Sequence, residues 1–120
     1  MKTTWLVVVA VFSTFLVNET AMTSSVTYFI TLENELGDTI TSVYISGHNK
    51  REWGEDLLQK DETIPTGRKV TIRLPHEYEY WDLKVVLANG KDFSWQDGFY
   101  LSVERLVLSN ENGEILAHEK

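Results

Sequence analysis

Between residues 53 and 58 the chain reads Trp53-Gly54-Glu55-Asp56-Leu57-Leu58, which puts an indole, a glycine and two carboxylates on four consecutive residues. An indole can stack on a ligand, adjacent carboxylates can accept its donors or balance its charge, and a glycine lets the backbone turn beneath the ring. Two uses of the segment compete. In one, Trp53 buries its ring, Leu57 and Leu58 anchor the loop to a core, and Asp56 caps the turn by accepting backbone N–H groups. In the other, a long loop on a rigid scaffold presents Trp53, Glu55 and Asp56 to a ligand. Those three are the candidate ligand-binding residues; no catalytic residue is assigned and no cofactor is expected.

Other chemistries have weaker support. Glu52, Glu55, Asp56, Asp61 and Glu62 are abundant, but nothing fixes a pair of them at an acid/base separation, and Lys50, Arg51 and Lys60 balance them as a solvated face. The histidines, His48, His76 and His118, lie far apart with none of the spacings that zinc uses. The chain has no cysteine and no Gly-x-Ser-x-Gly, which leaves neither a thiol nor a serine elbow as nucleophile. Calcium is a sharper alternative, because Asp56, Asp82, Asp92 and Asp97 are hard oxygen ligands that loops at one end of a sandwich could gather. A glycan would want aromatics beside carboxylates and amides, the composition of Trp95-Gln96-Asp97 and of His76-Glu77-Tyr78-Glu79-Tyr80; Trp81 and Trp95 are expected instead to fill the core or pair across strands, while Tyr78 and Tyr80 suit either use.

The first residues have another purpose. Lys2 precedes a run without charge over residues 5–17, the length of a secretory signal and too short for the ~20 residues of a bilayer span. Residues 1–24 are therefore expected to be removed, with cleavage between Thr20 and Ser25, leaving one domain over residues 25–120 with no transmembrane segment. The product is expected to be secreted or periplasmic. A domain exported without disulfides must rely on its core, which suits a bacterial protein. The Asn18-Glu19-Thr20 glycosylation sequon falls beside the removed segment. A net charge of -7 repels phosphate backbones and anionic headgroups, so nucleic acid is excluded as a partner and a cationic one stays open.

The mature chain must position these residues with strands. Period-two alternation or β-branched and aromatic enrichment marks residues 26–33, 39–46, 69–74, 81–88, 91–96, 103–109 and 114–118. Turns fall at Leu36-Gly37-Asp38, at Ile64-Pro65-Thr66-Gly67, at Gly98 and around residues 110–113, while Pro75 closes the third strand. Asn89-Gly90 between two alternating runs predicts a type I′ hairpin. Seven or eight short strands with turns about every ten residues predict an all-β, antiparallel β-sandwich, with a small barrel as the other architecture.

The 53–58 motif, the preceding Ile45-Ser46 strand end, the Ile64-Pro65-Thr66-Gly67 turn and the later Trp81-Asp82-Leu83 strand together resemble a group of small exported bacterial proteins. These carry Trp-Gly-x-Asp-Leu-Leu, then an Ile/Leu-Pro-x-Gly turn, then an Asp-Leu strand. The resemblance implies a β-sandwich in an exported protein; the group has no established activity and supplies no catalytic residues. The expectation is an exported, non-catalytic binding or envelope module whose unknown ligand is a protein or a glycan. A Ca²⁺-dependent binding domain is the alternative, and a small hydrolase ranks behind it.

Overall fold

A computed structural model describes residues 27–75 and 77–120. The expected leader, the Asn18 sequon and His76 lie outside the described residues. All seven marked runs form strands: β1 Phe29–Glu35, β2 Ile40–Gly47, β3 Lys69–Arg73, β4 Tyr80–Leu87, β5 Asp92–Tyr100, β6 Arg105–Glu111 and β7 Glu114–Glu119, with no helix among the described residues. Accordingly no helix there is long and apolar enough to cross a membrane.

The strands form two sheets, one ordered β3-β1-β6-β7 and the other β2-β4-β5. They remain separate and keep their edges, as a sandwich does and a closed barrel does not. Alternate residues of both sheets fill the space between them: Ile30 and Leu32 of β1, Val43 and Ile45 of β2, Trp81, Leu83 and Val85 of β4, and Leu106 and Leu108 of β6 are at most 2% exposed. Trp81 is the central aromatic and tilts against Phe99 with ring centroids 4.9 Å apart.

The pairing departs from the expected pattern in one place. β1 and β6 run parallel, with Thr31 opposite Arg105 and Glu35 opposite Ser109, while every other pair is antiparallel. A hairpin forces antiparallel pairing only between neighbours in sequence, and β1 meets β6 after the chain has crossed to the other sheet and back twice.

Several strand ends shift by one or more residues, and two of the shifts have local reasons. β1 continues through Asn34, whose inward side chain is fully buried and so hides the alternation from a reading of hydrophobicity. Asn34 Nδ2 donates to the carbonyls of Asp38 and Ile64, both at 2.7 Å, and its Oδ1 accepts from Leu36 N at 2.9 Å. A buried amide satisfied three times ties the β1–β2 turn to the 64–67 turn. β5 passes through Gly98 instead of stopping there, because a bulge between Trp81 and Leu83 on one side and Phe99 and Trp95 on the other absorbs the irregularity.

The Asn89-Gly90 turn is not type I′. That turn needs φ > 0 at both residues, and here Gly90 (φ 89°) has it while Asn89 does not. Gly90 N donates to Leu87 O and Leu87 N to Lys91 O, which makes a three-residue loop with Gly90 in the left-handed position. The type I′ geometry belongs to the other Asn-Gly pair, Asn112 (φ 56°) and Gly113 (φ 85°), between the paired Glu111 and Glu114.

Candidate functional site

The loop after β2 decides how the candidate residues are presented. In the β2–β4 register Ser46 faces Asp82 and Tyr44 faces Lys84, and all four alternate with core residues, so they stand on the outer face of the three-stranded sheet. Outer-face polar residues are normally wet, yet Ser46 and Asp82 have no exposure. The chain beyond Gly47 covers them. His48 Nδ1 lies 2.8 Å from Asp82 Oδ1, Asn49 N donates to Asp82 Oδ2 at 3.0 Å, and Glu52 N donates to Ser46 Oγ at 2.9 Å. Arg51 reaches across to β5, where its Nε donates to Gln96 Oε1 at 3.2 Å. Asn49 (φ 65°) and Arg51 (φ 54°) both sit in the left-handed region, a conformation that persists where surrounding bonds impose it.

The second half of the loop is fastened to the free edge of β2. Asp56 Oδ1 accepts from Val43 N at 2.9 Å and from Leu58 N at 3.0 Å, while Leu57 N donates to Val43 O at 2.8 Å. Leu58 enters the core, and Leu57 packs against it from a half-buried position. Asp56 is thus a cap that joins the motif to the sheet, as the anchoring reading of that residue expects.

Trp53 and Glu55 lie elsewhere. Trp53 is half-buried and does not pack on the core cluster; Lys84 Nζ sits 5.9 Å from its ring centroid and 5.6 Å from that of Tyr44, and 3.7 Å from Asp92 Oδ2. Together with Glu52, exposed Glu55, Tyr78 and Pro75, Trp53 borders an open pocket of about 300 Å³ whose floor includes Ile45 and Leu57. Gly47 allows this closure, since a Cβ there would lie 3.1 Å from Tyr78 Cδ1. Burial raises the Tyr78 phenol above its ordinary pKa, and the negative charge of Glu52 adds to the rise.

Of the three candidate residues, then, Trp53 and Glu55 share a pocket, and Asp56 supports the loop from beneath. Glu52 and Tyr78 belong with the first two. Sequence reasoning noted each for other roles and did not connect them, because their meeting depends on Gly47 and on the chain after Pro75 returning beside β2. The His48–Asp82 pair was likewise unforeseen; its only local sign was an aspartate next to Trp81 in a strand.

The other candidates do not assemble. Asp82 is spent on His48 and Asn49, Asp92 pairs with Lys84, and Asp56 holds β2, so the proposed calcium ligands are not brought to one point. Among the described residues no three His, Asp or Glu side chains are placed to hold a metal ion. Trp95 packs against the core, while Tyr80 and Tyr100 are exposed and meet edge to face at 5.3 Å. His118 Nε2 contacts Glu111 Oε2 at 2.7 Å on the surface of β7.

An NMR structure of a protein from Eubacterium rectale has a similar fold, with a TM-score of 0.54 and 14% identity over 78% of this chain and 87% of that one. At that identity the likeness concerns the fold alone. No family model matches the chain, and no curated protein does.

Proposed function

We propose that this chain is an exported, non-catalytic binding or envelope module whose ligand occupies the pocket beside Trp53 and Glu55. One observation carries the reading. A polar loop is fastened at both ends, to Asp82 and to Val43, so that an indole, a phenol and two carboxylates surround one opening before any ligand arrives. A surface ordered in advance avoids most of the entropy that a mobile loop loses on binding. Among the described residues the lining holds no histidine beside the pocket carboxylates, and the contact of His48 with the buried Asp82 is accounted for by its hold on the loop. The charged-then-apolar leader and the lack of cysteine support export.

An amide NMR screen with monosaccharides and N-acetyl amino-acid amides tests the reading. Saturable shifts should gather on Trp53, Gly54, Glu55 and Tyr78. Shifts gathered on Tyr80 and Tyr100 instead would move the site to the outer face of β4 and β5 and overturn the assignment.

A further inference from the structure

From the walls of this pocket we infer that its ligand is a lysine or arginine side chain of a partner polypeptide; the inference rests on the reading above and narrows it. The pocket holds Glu52 and Glu55 with Trp53 and Tyr78, and among the described residues its lining contains no Lys, Arg or His. Carboxylates and aromatic faces have one ligand chemistry in common. Both attract a cation, the first by charge-assisted hydrogen bonds and the second through the ring quadrupole. A neutral sugar could stack on the rings and donate hydroxyls to the carboxylates, but only a cation also gains from their charge.

Three further observations point the same way. The protein already brings an ammonium to this indole, since Lys84 Nζ stands 5.9 Å from the Trp53 ring while also engaged by Tyr44 and Asp92. The Glu52 carboxylate lies close enough to the Tyr78 phenol to add to the rise that burial causes in its pKa, which places a negative charge beside that ring. The net charge of -7 would steer a basic partner towards it.

Size and lining favour a side chain on a polypeptide. At about 300 Å³ the opening is at the bottom of the range of ligand pockets and fits one long side chain better than several sugar rings. Ile45 and Leu57 also give the pocket an apolar wall that suits the methylene stem of such a side chain while its charged end meets the carboxylates.

The test uses four pentapeptides, acetylated and amidated, with Lys, Arg, norleucine or Glu between flanking glycines, and a neutral hexasaccharide, followed by amide NMR. The Lys and Arg peptides should shift Trp53, Gly54, Glu55 and Tyr78 saturably, and more weakly as salt is raised. Glu52→Gln with Glu55→Gln should weaken them about tenfold or more, the worth of one charge-assisted contact. Norleucine binding as well as lysine would overturn the cation, and so would unchanged affinity in the double variant. If the hexasaccharide shifts these amides and the basic peptides do not, this inference falls while the pocket stands. Silence at these amides with every probe would overturn both.

Discussion

His48 Nδ1 lies 2.8 Å from Asp82 Oδ1, and the carboxylate it touches has no exposure although it stands on the outer face of its sheet. A buried carboxylate keeps its place only if its oxygens are satisfied, and here both are, one by the imidazole and the other by Asn49 N. The pair therefore works as a post from which the covering loop hangs. His48→Ala should cost about 1–3 kcal/mol, the range for stranding a buried polar group, and less than a full ion-pair loss because Asn49 N remains. In urea unfolding, His48→Ala and Asp82→Ala should be non-additive by about 0.5 kcal/mol or more. Simple additivity would show that the contact does not hold the loop.

The two Asn-Gly pairs separate turn type from turn sequence. Gly90→Val should lose roughly 1–3 kcal/mol because φ is 89° there, and no neighbour lies within 4 Å of the added Cβ, so the loss is backbone strain alone. Asn89→Ala should cost little beyond its contact with Lys91 N, since its φ is not positive. Asn112→Val should behave like Gly90→Val, because Asn112 is left-handed at φ 56°. Equal urea midpoints for Asn89→Val and Asn112→Val would contradict the turn assignments.

Glu33 supplies a pH test with a definite sign. The hydrogen bond from Arg105 holds its carboxyl below the ordinary glutamate value, aided by the charges of Arg105, Lys69 and Lys120 and opposed by partial burial. A folded pKa below the unfolded one means that the unfolded chain binds the proton first. The stabilisation is present above the ordinary glutamate range and is lost as pH falls through that range and then through the folded pKa. Carboxyl NMR should place the Glu33 midpoint below that of a free glutamate, and Arg105→Gln should raise it. An ordinary midpoint in the parent would mean that the pair does not form in solution.

Strand identity was legible because the core is built from period-two runs such as Val70, Ile72 and Leu74, which survive any detail of packing. The exceptions are instructive. Asn34 broke the pattern since its amide is buried for its hydrogen bonds, and the parallel β1–β6 pair had no local signal because register between distant strands is set by the whole sandwich. Within the site, Asp56 was legible as a cap from its place beside Gly54 and before two leucines. The pocket was not, because Tyr78 meets Glu52 and Trp53 only after the chain has returned from β3, and no spacing records that.

Export makes a prediction that needs only a mass. If residues 5–17 act as a secretory signal, the intact mass of the released product should correspond to a chain beginning between residues 20 and 26. A full-length mass in the membrane fraction would remove the export half of the proposal and leave the pocket untouched.

The 53–58 motif invites the expectation that its largest side chain matters most for folding, and the contacts reverse that order. A fully buried tryptophan costs about 3–5 kcal/mol when cut to alanine. Trp53 is half-buried, off the core cluster, and has the Lys84 ammonium 5.9 Å from its ring centroid, so Trp53→Ala should cost about 1 kcal/mol, the scale of a partly exposed cation–π contact. Asp56→Ala removes the acceptor of both Val43 N and Leu58 N, freeing the β2 edge and the leucine that enters the core, and should cost about 1–3 kcal/mol. Emission gives a second reading: the component lost in Trp53→Phe should be red-shifted and quenched by iodide, while the buried Trp81 that remains should be protected. If Trp53→Ala proved the more destabilising change and its emission were blue and shielded, the indole would be an anchor, and neither a cation nor any other ligand would have a tryptophan to meet.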